Sequence, residues 1–312
     1  MAEPIALAAL VIEAGIGWPD ALYRRIGHPV GLFARIIDGI ELRWNDPARS
    51  EARRRLGGVA LVALLVGLVG GGAWLVERGM RATLGDWVWL PLALLALPGL
   101  AQRSLHDHVV PVARALMAGD LVAARAAVAR IVGRDTAALD EPGVARAAIE
   151  SLAESFCDGV AAPLFWLLVA GLPGLWGYKA LNTADSLIGH KEPRWRAFGW
   201  AAARADDVAN WVPARIAGLL LCLAAGRGFG TMWRDARRHA SPNAGWTEAA
   251  MAGALGLRLA GPVAYDGVIH PKLWIGDGRT AADAGDIRRA LRLYWRACLL
   301  LWLIAGGCAW AL

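Results

Sequence analysis

The segment from Leu56 to Val76 constrains the fold most, because it is apolar and contains no charged residue. It is long enough to cross the hydrocarbon core of a bilayer, which takes roughly 20 helical residues. The composition agrees: 57% of the residues are hydrophobic and only 19% are charged, against about 25% in ordinary soluble domains. The sixteen Trp also suit a membrane protein, since Trp favours membrane interfaces. We therefore predict a membrane protein with polar loops rather than a large apolar soluble enzyme.

Other apolar segments extend this prediction. Residues 87–102 form the second predicted span, and with a polar turn at 77–86 they complete a transmembrane hairpin over residues 56–102. Residues 294–312 are predicted as a C-terminal transmembrane helix. The segment 5–17 is short and carries Glu13, so both a spanning helix and a helix lying in the membrane interface stay open.

The segments 159–178 and 212–226 are apolar but contain proline, and the second also contains Arg215. We predict broken or re-entrant segments, since irregular backbone is tolerated in a membrane where it lines a cavity. The fold class is therefore all-α, a polytopic helical membrane protein with broken or re-entrant apolar segments and cytoplasmic helical loops. We expect one domain over residues 1–312, with a catalytic core at 104–293.

The loops are predicted to be helical from their capping residues. Asp120 precedes an amphipathic stretch, and Asp140 precedes Glu141 and Pro142, with proline in the first turn where its missing N–H costs nothing.

The net charge of +6 does not indicate nucleic acid, because no nucleic-acid motif accompanies it. Between residues 20 and 55, eight Arg outnumber five acids. This excess indicates that the loop faces the cytoplasm.

Three acids near the end of one predicted helix form the first candidate site. Glu150 and Glu154 are four residues apart, and like charges at this spacing repel one another. A bound cation or a raised pKa would relieve the repulsion. A solvated helix face would explain an isolated pair equally well, but Asp158 follows closely. Both interpretations stay open.

Two sets of amides and carboxylates form the second candidate site. Asn182, Asp185 and Ser186 are spaced to share one helix face, and Asp206, Asp207 and Asn210 repeat the pattern. Such oxygen ligands suit Mg²⁺, which typically uses one or two carboxylates together with substrate phosphates. Lys179, Arg204 and Arg215 could then hold phosphate oxygens. Ion pairing between Arg and Asp is the structural alternative, but ionisable groups at membrane depth are usually functional.

Several familiar catalytic motifs are missing from the sequence. There is no P-loop and no GxGxxG, no nucleophile elbow and no HExxH. The run Ser241-Pro242-Asn243 is by spacing alone a turn or a helix N-cap.

The motifs together resemble the CobD/CbiB family of adenosylcobinamide-phosphate (cobinamide) synthases, over nearly the whole chain. The resemblance rests on the following runs: Gly17-Trp18-Pro19 with His28-Pro29-Val30, residues 133–136, the glutamates with residues 158–166, residues 178–186, Arg204 with Asp206-Asp207 through Arg215, and residues 241–245 with 249–253. One position departs from the family pattern, because Ser155 stands where the family usually has Asn. A direct role for the side chain at 155 is therefore in doubt.

The resemblance implies an enzyme of the bacterial inner membrane with its active site facing the cytoplasm. It joins a propionate carboxylate of (adenosyl)cobyric acid to aminopropanol or its phosphate, with ATP as cosubstrate and Mg²⁺ as cofactor. Further partners would be the lipid bilayer, a second copy of the chain or other membrane proteins of cobalamin biosynthesis.

The resemblance also implies roles for individual residues. The catalytic residues would be Glu150, Glu154, Asp158, Lys179, Asn182, Asp185, Arg204, Asp206, Asp207, Asn210 and Arg215, with Asp185, Asp206 and Asp207 as metal ligands. The substrate-binding residues would be His28, Arg134, Asp135, Thr136, Ser186, Ser241 and Asn243. Two alternatives remain: a membrane-embedded, Mg-dependent prenyl-diphosphate transferase, and a non-enzymatic AmpE-like signalling protein, which would be expected to lose the acidic clusters.

Overall fold

The computed structural model describes residues 4–265, 268–270 and 272–311, and its architecture is nearly all-α. The α-helices are α1 Ile5–Ile16, α2 Asp20–Ile26, α3 Pro29–Trp44, α4 Glu51–Leu84, α5 Trp89–Ala96, α6 Gln102–Met117, α7 Leu121–Val128, α8 Glu141–Phe156, α9 Ala162–Ile188, α10 Trp200–Ala209, α11 Trp211–Ala225, α12 Phe229–Asp235, α13 Ala244–Leu255 and α14 Ala284–Ala311. A π-helical turn, Cys157–Ala161, joins α8 to α9.

Short strands accompany the helices in the described part of the chain. They are β1 Leu259–Ala260, β2 Val263–Tyr265, β3 Val268–His270 and β4 Trp274–Ile275. β1 pairs with β4 and β2 pairs with β3, both antiparallel. The all-α prediction missed these strands, because two or three residues are too few to show an alternating pattern.

Three helical stretches among the described residues are long and apolar enough to cross a membrane. They are Glu51–Met117, Glu141–Ile188 and Ala284–Ala311, and two bent helix pairs raise the number to as many as five. The first stretch contains the predicted span at 56–76. The predicted polar turn at 77–86 was wrong, because α4 continues to Leu84 and Glu77 pairs with Arg81 one turn later at 2.8 Å.

The chain divides into two compact units, and the single-domain and hairpin assignments stay predictions. The first unit contains Met1–Ala101, Ala162–Asn210 and Ala305–Leu312, and the second contains Gln102–Ala161 and Trp211–Ile304. The core of the first unit lies between α3, α4, α9 and α10. Its buried side chains are Phe33, Ile37, Leu61, Leu65, Ala180, Ala184, Ile188, Phe198 and Ala202.

A break in α9 confirms that the apolar segment 159–178 is interrupted. The backbone leaves helical geometry at Ala170 and Gly171, and Gly171 has a φ of 62°, which favours glycine. The break leaves the Leu172 N–H without its helical acceptor, and this group donates to Glu77 Oε2 at 2.9 Å. A carboxylate in α4 therefore stabilises the start of the second half of α9.

In the second unit, α13 is buried on nearly every side and packs against α8, α11 and α12. A helix that is apolar all round is typically enclosed by neighbours. Glycine permits the close approach of α11 to α13, because a Cβ at Gly218 of α11 would lie 2.9 Å from the Trp246 carbonyl oxygen.

The predicted helix caps are confirmed, since Asp120 accepts from Ala123 N–H and Asp140 from Gly143 N–H.

Gly58 of α4 provides a test of packing in the first unit. A Cβ there would lie 1.8 Å from the Phe198 carbonyl oxygen, whereas a Cβ at Gly71 of the same helix meets nothing within 4 Å. We expect Gly58→Ala to lower the free energy of unfolding by about 1–3 kcal/mol through overpacking. The matched control Gly71→Ala should not lower it, and should raise it by up to about 1 kcal/mol because alanine is the better helix former. Thermal unfolding in detergent measures both, and equal stability of the two variants would contradict this packing.

Candidate functional site

The polar residues of α9 and α10 form a buried hydrogen-bonded chain in the first unit. Asp206 accepts from the amide of Asn182 at 3.3 Å through Oδ1 and from the amide of Asn210 at 2.9 Å through Oδ2. The Tyr178 hydroxyl donates to Asn210 Oδ1 at 3.0 Å. Helical spacing brings the members of each set onto one face. The two predicted sets therefore meet at Asn182 and Asp206, and Tyr178 extends this contact through Asn210.

Charged groups border this chain. Asp207 is half-buried and pairs at 3.1 Å with Arg204, whose side chain is 63% exposed. The positive charge of Lys179 acts on both Asp206 and His28. Adjacent carboxylates with a cation nearby offer the oxygen ligands that Mg²⁺ prefers and a partner for phosphate.

The other predicted residues of the first unit have local roles as well. Asp185 is half-buried, and a Cβ at Gly189 would lie 1.9 Å from its Oδ1. The Ser186 hydroxyl donates to the Asn182 carbonyl within the helix at 2.9 Å. His28 is the N-cap of α3, where its Nδ1 accepts from a backbone N–H at 3.2 Å. Ser186 and His28 thus have structural partners, and their substrate-binding roles stay predictions.

The second unit contains three acids at the end of α8 and in the turn after it, Glu150, Glu154 and Asp158. Glu150 is buried, pairs with Arg134 and accepts from Ala260 N–H at 2.8 Å. Ala260 has a φ of 57°, a strained value for a residue other than glycine and one found at functional sites. Glu154 is exposed, and the half-buried Asp158 lies in the π-helical turn. Such turns inside α-helices are frequent at functional sites.

Asp135 and Thr136 shape the turn that precedes α8. Asp135 Oδ1 accepts from Ala137 N–H at 2.9 Å, and the Thr136 carbonyl accepts from Leu139 N–H at 3.2 Å. These contacts are typical of turn residues. Their substrate-binding roles stay predictions.

Arg215 lies between two tryptophan rings in the second unit. Its guanidinium carbon is 4.1 Å from the centre of the Trp211 ring and 4.7 Å from that of Trp246. It also donates to Asn243 Oδ1 at 3.3 Å. Ser241 Oγ accepts from two backbone N–H groups at the start of α13, at 3.2 Å each, as its turn motif predicts.

Glu248 of α13 is the feature that the sequence interpretation missed. Its side chain is 6% exposed, and Oε2 is buried without a hydrogen-bond partner among the described residues. Oε1 lies 3.5 Å from His239 Nε2. Burial and the negative charges of Glu150 and Glu154 hold the pKa of Glu248 well above its usual range. The signal in the sequence was a single charge inside the apolar stretch 244–255.

His239 completes this pair as a neutral ring. Burial and the positive charge of Lys272 lower the pKa of His239. Its Nδ1 accepts from Ser241 N–H at 3.0 Å, so the proton of the neutral ring lies on Nε2, towards Glu248. A carboxyl whose pKa is raised, in contact with a neutral imidazole, is suited to receiving or passing on a proton.

The predicted residues are distributed over both units, with the α8 acids in the second and Asp185, Asp206 and Asp207 in the first. A cavity shared by these acids stays a prediction. Within the described residues, no three His, Cys, Asp or Glu side chains converge on a possible metal position. The Mg²⁺ ligands also stay a prediction, since Mg²⁺ needs only one or two protein carboxylates when phosphates supply the rest.

Comparisons with known proteins agree with these motifs. The family model described as CobD/Cbib protein matches residues 6–294. The chain is 49% identical over 311 residues to cobalamin biosynthesis protein CobD of Rhodobacter capsulatus, covering 96% of this chain and 95% of the relative. It is 46% identical over 314 residues to the protein of that name from a Sinorhizobium species, covering 96% and 97%. No solved structure matches. The chain belongs to the CobD/CbiB family.

Proposed function

We propose that this protein is an ATP-dependent carboxylate–amine ligase of cobalamin biosynthesis. It would join a propionate carboxylate of (adenosyl)cobyric acid to the amine of aminopropanol or aminopropanol phosphate, giving (adenosyl)cobinamide or its phosphate. The observation that carries the proposal is membership of the CobD/CbiB family across residues 6–294, with relatives named for cobalamin biosynthesis. Family membership favours this function over a prenyl-diphosphate transferase.

The chemistry requires activation of the carboxylate, because a carboxylate and an amine do not form an amide unaided. A carboxylate oxygen attacks the γ-phosphorus of ATP, and ADP leaves. The amine then attacks the acyl carbon, the C–O bond breaks, and phosphate departs with one carboxylate oxygen. The amine nitrogen finally loses a proton. Phosphoryl transfer depends mainly on positioning and charge stabilisation, so no covalent protein intermediate is required.

The first unit has the groups that suit the ATP half of this reaction. Lys179 and Arg204 carry positive charge beside Asp206 and Asp207 and would stabilise phosphate oxygens. Mg²⁺ would be held by Asp206 and Asp207, with substrate phosphates as further ligands, and when bound would neutralise charge on the phosphates.

The second unit has the groups that suit the amine half. Glu248, once ionised, is a stronger base than an ordinary carboxylate, because its pKa is raised. We assign it the proton that the amine must lose. Glu150 pairs with Arg134 and accepts from the backbone N–H of Ala260, and these contacts fix a carboxylate whose charge acts on Glu248.

The three apolar helical stretches support a membrane location. We assign the protein to the bacterial inner membrane with the site facing the cytoplasm, where ATP is available.

A reconstituted assay tests the proposed function. Purified protein in detergent is supplied with cobyric acid, ATP, Mg²⁺ and either aminopropanol or aminopropanol phosphate. A corrinoid amide should form with one of these amines and only when ATP is present. The absence of a corrinoid product with both amines would contradict the proposal.

A further inference from the structure

A basic cavity in the second unit belongs to none of the groups described above. It has a volume of about 330 Å³ and is lined by Arg227, Arg289, Arg292, Arg296, Ala225, Ala254, Leu255 and Leu293. We refer to it as the arginine cavity. Four guanidinium groups around one cavity create a strongly positive potential, which a bound anion would relieve.

The contacts of the four arginines do not neutralise all of their positive charge. Arg289 pairs with Asp286 at 2.9 Å, and this buried carboxylate also pairs with Arg279. Arg227 donates to the Ala254 carbonyl at 2.7 Å, a contact that does not neutralise it. Over the described part of the chain, no ion pair is found for the exposed Arg292 and Arg296. At least two full positive charges are therefore available to a ligand.

The position of the cavity along the chain indicates which anion it meets. Arg289, Arg292 and Arg296 share one face of α14 at a spacing of three and four residues, and the apolar half of α14 begins directly after them. Arg227 follows two residues after α11, another apolar helix. Basic groups at the ends of apolar helices lie at the level of lipid head groups.

We propose that the arginine cavity binds the phosphate head group of an anionic phospholipid. Arg292 and Arg296 contact the phosphate oxygens, and Arg227 and Arg289 supply further positive charge. Guanidinium groups suit this role because their fork geometry matches phosphate oxygens. Ala225 and Leu293 provide an apolar surface for the start of the acyl chains. A free phosphate shares the head-group chemistry but would gain nothing from that surface or from the adjoining apolar helices.

The test is a lipid titration of the detergent-solubilised full chain, followed by native mass spectrometry. The probes are phosphatidylglycerol and phosphatidylcholine with identical acyl chains. We expect tighter binding of phosphatidylglycerol, and we expect Arg292→Gln/Arg296→Gln to weaken it roughly 30-fold, about fivefold for each basic residue at an anionic lipid surface. The matched control is Arg288→Gln, an exposed arginine of α14 outside the cavity. It should change the affinity by no more than about twofold, because exposed charges are screened by salt.

Three results would overturn the proposal. The double variant could bind phosphatidylglycerol as tightly as the parent, or the two lipids could bind equally well. Inorganic phosphate at constant ionic strength could also displace phosphatidylglycerol, which would assign the cavity to a soluble phosphate. The variants carry only exposed substitutions, and an unchanged thermal transition in zwitterionic detergent verifies that each is folded.

Discussion

Asp207→Asn is expected to lower ATP-dependent amide formation about 100-fold or more, because losing a metal ligand removes transition-state stabilisation that can reach several kcal/mol. The variant should stay folded. Asp207 pairs with an Arg204 side chain that is 63% exposed, and an exposed pair contributes little to stability. Initial rates of amide formation and the yield of folded protein in detergent measure the two effects.

Asp107→Asn is the matched control, since Asp107 also forms an exposed ion pair, with Arg103 at 2.9 Å. It should retain the parent activity. Asp206 is a poorer choice for the test, because both of its carboxylate oxygens accept from buried amides and its loss would perturb folding as well. Normal turnover and normal Mg²⁺ dependence in Asp207→Asn would show that Asp207 is not a metal ligand. The metal site would then be sought separately at Asp185 in the first unit and at Glu150 and Glu154 in the second.

Glu248→Gln is expected to have two opposite effects, a loss of activity and a gain of stability. Activity should fall about 100-fold or more, as is typical when a general base is removed. The pKa of Glu248 is higher in the folded chain than in the unfolded chain. As the pH rises from about 4, the unfolded chain releases this proton first, so the parent loses stability up to the folded pKa. Glutamine releases no proton, so the variant should be more stable than the parent at neutral pH.

Thermal unfolding across the range of about pH 5–8 measures the second effect. Glu141→Gln is the control, because Glu141 is an exposed glutamate in the same unit. It should alter neither the activity nor the slope of stability against pH. If Glu248→Gln keeps full activity, Glu248 has no role in proton transfer. If it is less stable than the parent at neutral pH, Glu248 is ionised and paired in the folded protein.

Helices that are marked by local signals in the sequence could be predicted from it. Asp120 and Asp140 start helices as their positions predict, and the uncharged run 56–76 lies in one long helix. Prolines and glycines in 159–178 correctly indicated an interrupted helix. The extent of α4 was missed, because Glu77 and Arg81 resemble turn residues in sequence but pair along the helix surface and support it.

Less of the candidate site could be predicted from the sequence, because its contacts join residues that are far apart in the chain. Spacing alone placed Asn182 and Asp206 on separate helix faces, and only tertiary packing brings them together. The contact of Glu248 with His239 depends on the turn at Ser241 and on the burial of α13. The left-handed backbone of Ala260 beside Glu150 leaves no signal in the sequence, since alanine rarely adopts that conformation.

The most direct test of the proposed ligase is to follow the carboxylate oxygens through the reaction. Cobyric acid labelled with ¹⁸O in its free carboxylate is incubated with the protein, ATP, Mg²⁺ and the amine that supports turnover. Mass spectrometry then measures the label in phosphate and in the corrinoid product. The proposed function predicts that each amide formed is accompanied by one ADP and one phosphate carrying a single ¹⁸O. Amide formation at the same rate without ATP, or amide formation with unlabelled phosphate, would contradict it.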